Sequence, residues 1–116
     1  MSKLCMFNPR GYNSPEKWKR FIEDLGVRNR AFIFKVDRKG HSDGEVIAPT
    51  AGEHFELQQL QGLVGGYIEV ISWNGLLVVC NEDGRRLRLP VNMHASTNLA
   101  TPLVGNVIVM SPSMMK

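Results

Sequence analysis

"LQQLQGLVGGYIEVISWNGLLVVCN", residues 57–81, passes from helical to strand spacing across a pair of glycines. Leu57, Leu60, Leu63 and Val64 fall on one helical stripe, with Gln58, Gln59 and Gln61 elsewhere. Beyond Gly65-Gly66 the apolar period drops from about 3.6 to 2. Tyr67–Ile71 and Leu76–Cys80 then face each other across Ser72-Trp73-Asn74-Gly75, whose Asn-Gly pair is the strongest hairpin signal in the chain. Glycine-rich joints often hold phosphate, but they do so ahead of a helix, where free N–H groups and the positive dipole end face the anion. Here the glycines follow the helix, at its carbonyl-rich end, and the spacing is not that of a nucleotide loop. Gly65-Gly66 is therefore expected to stop the helix and turn the chain.

Outward from this joint, Thr50-Ala51-Gly52-Glu53 has the spacing of a capping box and predicts a helix over residues 53–64. Upstream, Asn13-Ser14-Pro15-Glu16 opens a helix with Ser14 as its cap. Trp18, Phe21, Ile22 and Leu25 form its apolar face, and Gly26 is read as its stop. Ala31–Val36 reads as a strand, Asp37–Gly44 as a polar hairpin tip and Glu45–Ala48 as the returning strand. Asn81–Gly84 is a second turn, leading to Arg85-Arg86-Leu87-Arg88-Leu89 as a candidate third antiparallel strand. Residues 92–100 form a short helix or ordered loop, and Val104–Met110 a final strand. The expected fold is α+β: a mostly antiparallel sheet of four to six strands with two or three helices packed on it. Alternation over 67–71 and 76–80 predicts a sheet buried on one side, with the 53–64 and Trp18 helices on that face. The expected organisation is a basic helical extension over residues 1–30, one α+β domain over 31–110, and a flexible tail over 111–116.

The 116 residues carry a formal net charge of +3, unevenly spread. Residues 1–39 hold ten Lys and Arg against four acids, and residues 40–116 hold four against seven. No run approaches the length of a membrane span, and Cys5 and Cys80, without an export signal, read as reduced thiols of a cytoplasmic protein. No metal is expected, because His41, His54 and His94 and the two cysteines lack ligand spacing. The cluster Asp37, His41, Asp43 and Glu45 has turn chemistry and lacks calcium-loop spacing. Cys80 and His94 are the candidates for a nucleophile and base, but Cys80 ends an apolar strand, where a thiol behaves as a small hydrophobe. No cofactor motif is present.

If residues 85–89 form a strand, Arg86 and Arg88 share its solvent face. With Arg85 they serve either as forked phosphate donors or as protection of a sheet edge. Glu69 and Asn92 are polar beside apolar neighbours, so each is either buried and hydrogen-bonded or turned to a ligand.

Four motifs carry a family resemblance: Leu57–Val70, Cys80-Asn81-Glu82-Asp83-Gly84, Leu89-Pro90-Val91-Asn92 and Val104–Val109. Their order and spacing resemble a family of small phage and bacterial domains, the domain of unknown function 3846, over about residues 31–110. The resemblance implies an intracellular α+β unit in a viral or mobile-element setting, and it brings no assigned catalytic residues. Residues 93–103 match loosely, and the first thirty residues look like an addition.

The expected function is a non-catalytic binding protein. It would be a viral or mobile-element accessory that engages a host macromolecule or sequesters a small anionic, nucleotide-like ligand through Arg85, Arg86, Arg88, Glu69 and Asn92. The alternative is nucleic-acid binding by Lys17, Lys19, Arg20, Arg28 and Arg30 together with the Arg85–Arg88 strand. A third reading is an enzyme using Cys80 or His94. Exposed strand edges leave room for a homo-oligomer.

Overall fold

The computed structural model describes residues 15–115. The expected Ser14 cap, Cys5 and the basic residues Lys3 and Arg10 lie outside them. The chain runs α1 (Pro15–Val27), β1 (Ala31–Val36), β2 (Ser42–Ile47), α2 (Leu57–Val64), β3 (Ile68–Trp73), β4 (Leu76–Asn81), α3 (Met93–Leu99) and β5 (Val107–Met110), then a 3-10 turn at Pro112–Met114. All strand pairs are antiparallel, in the order β2-β1-β5-β4-β3. Two hairpins, β1–β2 and β3–β4, are thus joined by the four-residue strand β5. The fold is α+β, and the described residues form three helices on a five-stranded sheet. No helix among the described residues is long and apolar enough to cross a membrane.

Register explains the core. Val46, Phe32, Val109, Val78 and Ile71 are successive partners across all five strands and share one face. Phe34, Val107, Leu76 and Cys80 lie on that face, and α1 and α3 cover it with Trp18, Ile22, Leu25, Ala95 and Leu99. Trp18, Phe21, Phe32 and Phe34 meet mostly edge to face, with ring centroids 5.0–5.8 Å apart. On the other face Ile33, Ile108 and Val79 pack under Leu60 and Val64 of α2, with Phe55 and Met114. The sheet is therefore buried on both sides, and the Trp18 helix and α2 lie on opposite faces. This corrects the expected one-sided arrangement. The basic N-terminal helix is a layer of the core, not an appendage to it.

Four local expectations also change. Helix α2 begins at Leu57, and Glu56 at its N-cap makes no side-chain cap bond. The capping box fails because Phe55 is held in extended backbone, buried, with its N–H bonded to Met114 O at 2.8 Å. Gln59 instead ties the preceding loop, accepting from Thr50 N (3.0 Å) and donating to Ala48 O (2.9 Å). Helix α1 passes through Gly26 to Val27, and Asn29 takes the left-handed position at φ 58°. Gly26 is small because the chain crosses it: a Cβ there would lie 2.8 Å from Ser111 Cβ. The tail expected to be flexible is docked over 111–115, with Met114 buried and Met115 bridging Phe55. Finally, residues 82–88 form turns rather than a strand.

Candidate functional site

The joint at Gly65-Gly66 is a helix stop. Gly65 adopts φ 80°, and its N–H and that of Gly66 both donate to Gln61 O, at 2.8 and 3.1 Å. Asn81 completes the cap: its Nδ2 donates to Val64 O at 3.1 Å while its Oδ1 accepts from Asp83 N at 2.8 Å. A Cβ on Gly66 would come within 2.9 Å of that amide, so the second glycine makes room for Asn81.

From Asn81 the chain coils tightly. Leu87 N donates to Asp83 O (2.8 Å), Arg88 N to Arg85 O (3.1 Å) and Leu89 N to Gly84 O (3.0 Å). Gly84 is pressed against Val104, which would lie 2.8 Å from an added Cβ. This coil forms one wall of a groove of about 470 Å³. Glu69, Ile71, Cys80 and Asn81 supply the strand wall, Glu82, Asp83, Arg85 and Arg86 the turn, and Thr101–Val104 the third side. The volume is that of a small-ligand or side-chain site. Arg86 forks onto Asp83, Nη2 to Oδ2 at 3.2 Å and Nε to Oδ1 at 3.5 Å. Arg85 and Glu69 are exposed and form no ion pair among the described residues. The lining thus carries three carboxylates and two guanidinium groups.

Of the five expected site residues, then, Glu69, Arg85 and Arg86 come together. Arg88, at φ 55°, turns to a different groove, lined also by Arg38, Gly65, Pro90 and Asn106. The predicted arginine stripe does not exist, because the segment coils and has no two-residue period. Asn92 is fully buried at the N-cap of α3. It donates to Phe34 O (2.9 Å) and Gly105 O (2.8 Å) and accepts from Ala95 N (3.0 Å), so no polar atom faces a ligand.

The alternative basic surface is diluted. Lys17, Lys19 and Arg20 share α1 with Glu16, Glu23 and Asp24. Arg30 Nη1 donates to Arg28 O and Asn29 O, both at 3.1 Å, where the helix-end dipole welcomes a cation. Arg28 lies in the same turn.

Burial, and secondarily the charge of Glu69, pushes the Cys80 thiol up from its ordinary range. Burial lowers His94, which does not line the groove, and Cys80 and His94 share no hydrogen bond among the described residues. Of the Asp37 cluster, Asp37 and His41 lie in the β1–β2 tip, whereas Asp43 and Glu45 stand in β2, which already begins at Ser42, inside the expected Asp37–Gly44 tip. Asp37 Oδ1 accepts from Lys39 N and His41 N, both at 2.9 Å, and Glu45 pairs with Lys35. The His41 backbone bond, above all, holds the Asp37 carboxyl below its ordinary range. Among the described residues no three His, Cys, Asp or Glu side chains are grouped to hold a metal.

Sequence reasoning missed the partners of Asn81 and Asn106. Asn106 Oδ1 accepts from Val36 N at 3.0 Å, and its Nδ2 donates to Leu63 O at 3.0 Å. It missed Thr101–Val104 as a groove wall too. Asn81 and Asn106 both fall within the family motifs, whereas Thr101–Leu103 lie in the loosely matching stretch.

A family model matches residues 33–114, and the chain belongs to that family, described as a domain of unknown function (DUF3846). No curated protein and no solved structure matches the chain significantly.

Proposed function

We propose that this member of the 3846 family is a non-catalytic binding protein that engages a macromolecular partner through the groove beside Glu69, Arg85 and Arg86. The observation that carries the reading is the convergence of those side chains, from β3 and from the turn after β4, on one groove. Its mixed charge favours a protein segment over a small polyanion. Three carboxylates surround the two guanidinium groups and one of the latter is already paired, so a phosphate would meet repulsion. A polypeptide brings donors, acceptors and both signs of charge, and Ile71, Leu103 and Val104 offer it apolar contact. A protonated thiol with no imidazole in the groove fits binding better than nucleophilic chemistry. In the viral or mobile-element setting implied by the family resemblance, the partner is a host macromolecule of the cytoplasm.

The test is parallel capture of partners from cells of the natural source, with the full chain and its Arg85→Glu and Glu69→Arg variants. The expected result is one protein enriched by the natural chain and reduced about tenfold or more by either substitution, a loss of about 1.4 kcal/mol. Equal recovery with all three chains would overturn the reading. A nucleotide retained in native mass spectrometry would favour a small anionic ligand instead. DNA or RNA retention that falls steeply with salt would favour the basic N-terminal helix.

A further inference from the structure

We infer that the β3 edge of the sheet is a homodimer interface, in which β3 of two copies pairs antiparallel about a two-fold axis at Val70. The strand order leaves β2 and β3 as the edges. Trp73 pairs Leu76 across the two-residue Asn74-Gly75 turn, and Tyr67 O accepts from Glu82 N at 2.8 Å. Residues 69, 71 and 73 therefore exchange backbone bonds with β4, and the N–H and C=O groups of Ile68, Val70 and Ser72 point outward. No strand of the described residues takes them up.

The two edges are built differently. β2 carries Asp43, Gly44 and Glu45, and Pro49 follows it, which are the usual defences against edge pairing. β3 has no proline, no glycine and one charge, Glu69. Val70 is 41% exposed on it, and Tyr67, just before it, is 70% exposed. A foreign strand could meet such an edge, but its sequence favours its own copy. With Val70 opposite Val70 at the axis, Ile68 meets Ser72 and Glu69 meets Ile71, so the single charge never faces its like. About six backbone hydrogen bonds result. Pairing β3 with β2 of another copy would be head-to-tail and would not close. It would also set Asp43 and Glu45, which share Val70's face of the sheet, against apolar residues. Glu69 and Ile71 line the groove as well as this edge, but the Val70 side chain lies on the opposite face, so a substitution there tests dimerisation without altering a groove residue.

Light scattering on the full chain should give twice the 13.0 kDa monomer mass, and Val70→Lys, which places two ammonium groups at the axis, should give 13.0 kDa. A substitution at this half-exposed position is compatible with folding, and circular dichroism checks it. A second measurement uses Val70→Cys in a Cys5→Ser background. Hydrogen-bonded antiparallel partners stand about 5.5 Å apart between Cα atoms, within disulfide reach, so mild oxidation should link two copies. Asp43→Cys at the other edge should link far less. A monomeric natural chain, a dimer untouched by Val70→Lys, or equal linking from Asp43→Cys would each overturn the proposal.

Discussion

Asn92 holds three segments at once: the end of β1 through Phe34 O, the approach to β5 through Gly105 O, and the first turn of α3 through Ala95 N. Asn81, Asn98 and Asn106 act alike, each joining elements that are distant in the chain. Asn98 accepts the indole N–H of Trp18 at 3.0 Å, across 80 residues of sequence. A buried amide with all its partners rigidifies a core, and one left unpaired costs heavily. Replacing Asn92 by Ala should therefore lower stability by about 2–4 kcal/mol, read from urea unfolding. Asn92→Asp should fare no better, because a carboxylate keeps the cap acceptor but repels the two carbonyls. In the sequence, Asn92 stands out as polar among apolar neighbours, and so it is legible as important. Its partners are not legible: Phe34 lies 58 positions away, and no local pattern links the two.

Elements with a strong local signal form where the sequence places them. Strand β1 spans Ala31–Val36 as expected, and the Asn74-Gly75 hairpin closes with Asn74 and Gly75 both at positive φ. The failures share a cause, since each is a short segment whose local preference is overruled by a distant contact. Arg85–Leu89 alternates like a strand, but five residues are too few to distinguish a strand from a coil held by Asp83, Gly84 and Val104. Helix α3 carries a consequence of the same kind. His94, in its first turn, is partly buried, and its Nδ1 has no hydrogen-bond partner among the described residues. Burial lowers its pKa from the ordinary 6.5, with Asp43 opposing the shift. The unfolded chain then binds this proton more readily than the folded one. The stabilisation is complete above pH 6.5 and is lost as pH falls through the folded-state value. Urea midpoints measured at several pH values should fall from neutral toward pH about 5, and His94→Gln should flatten that slope. Asp37, also lowered, acts only below its ordinary 3.8 and does not interfere.

At the scale of the molecule, one strand decides the architecture. β5 has only four residues, all buried, yet it pairs with both hairpins and gives each face its central row. Its apolar run, and those of Ala31–Phe34 and Leu76–Cys80, are the pattern of strands covered on both sides. The one-sided expectation rested on alternation over 67–71 and 76–80, but only β3, an edge strand, alternates, while Leu76–Cys80 is an unbroken apolar run buried from both faces. The segment that follows α3, on the face that α1 and α3 cover, supplies Thr101–Val104 as the third side of the groove. Glu69 could be chosen from sequence as a polar outlier, and Arg85–Arg86 only as part of a strand that does not form, whereas the wall opposite them depends on long-range packing. The most direct measurement of the groove's role is photo-crosslinking from single positions of the full chain in its source cells. A crosslinker at Thr101, on the groove wall, should capture one discrete protein, while one at Gln58, exposed on α2, should not. Capture from Gln58 but not Thr101, or from neither, would contradict the groove as the binding site.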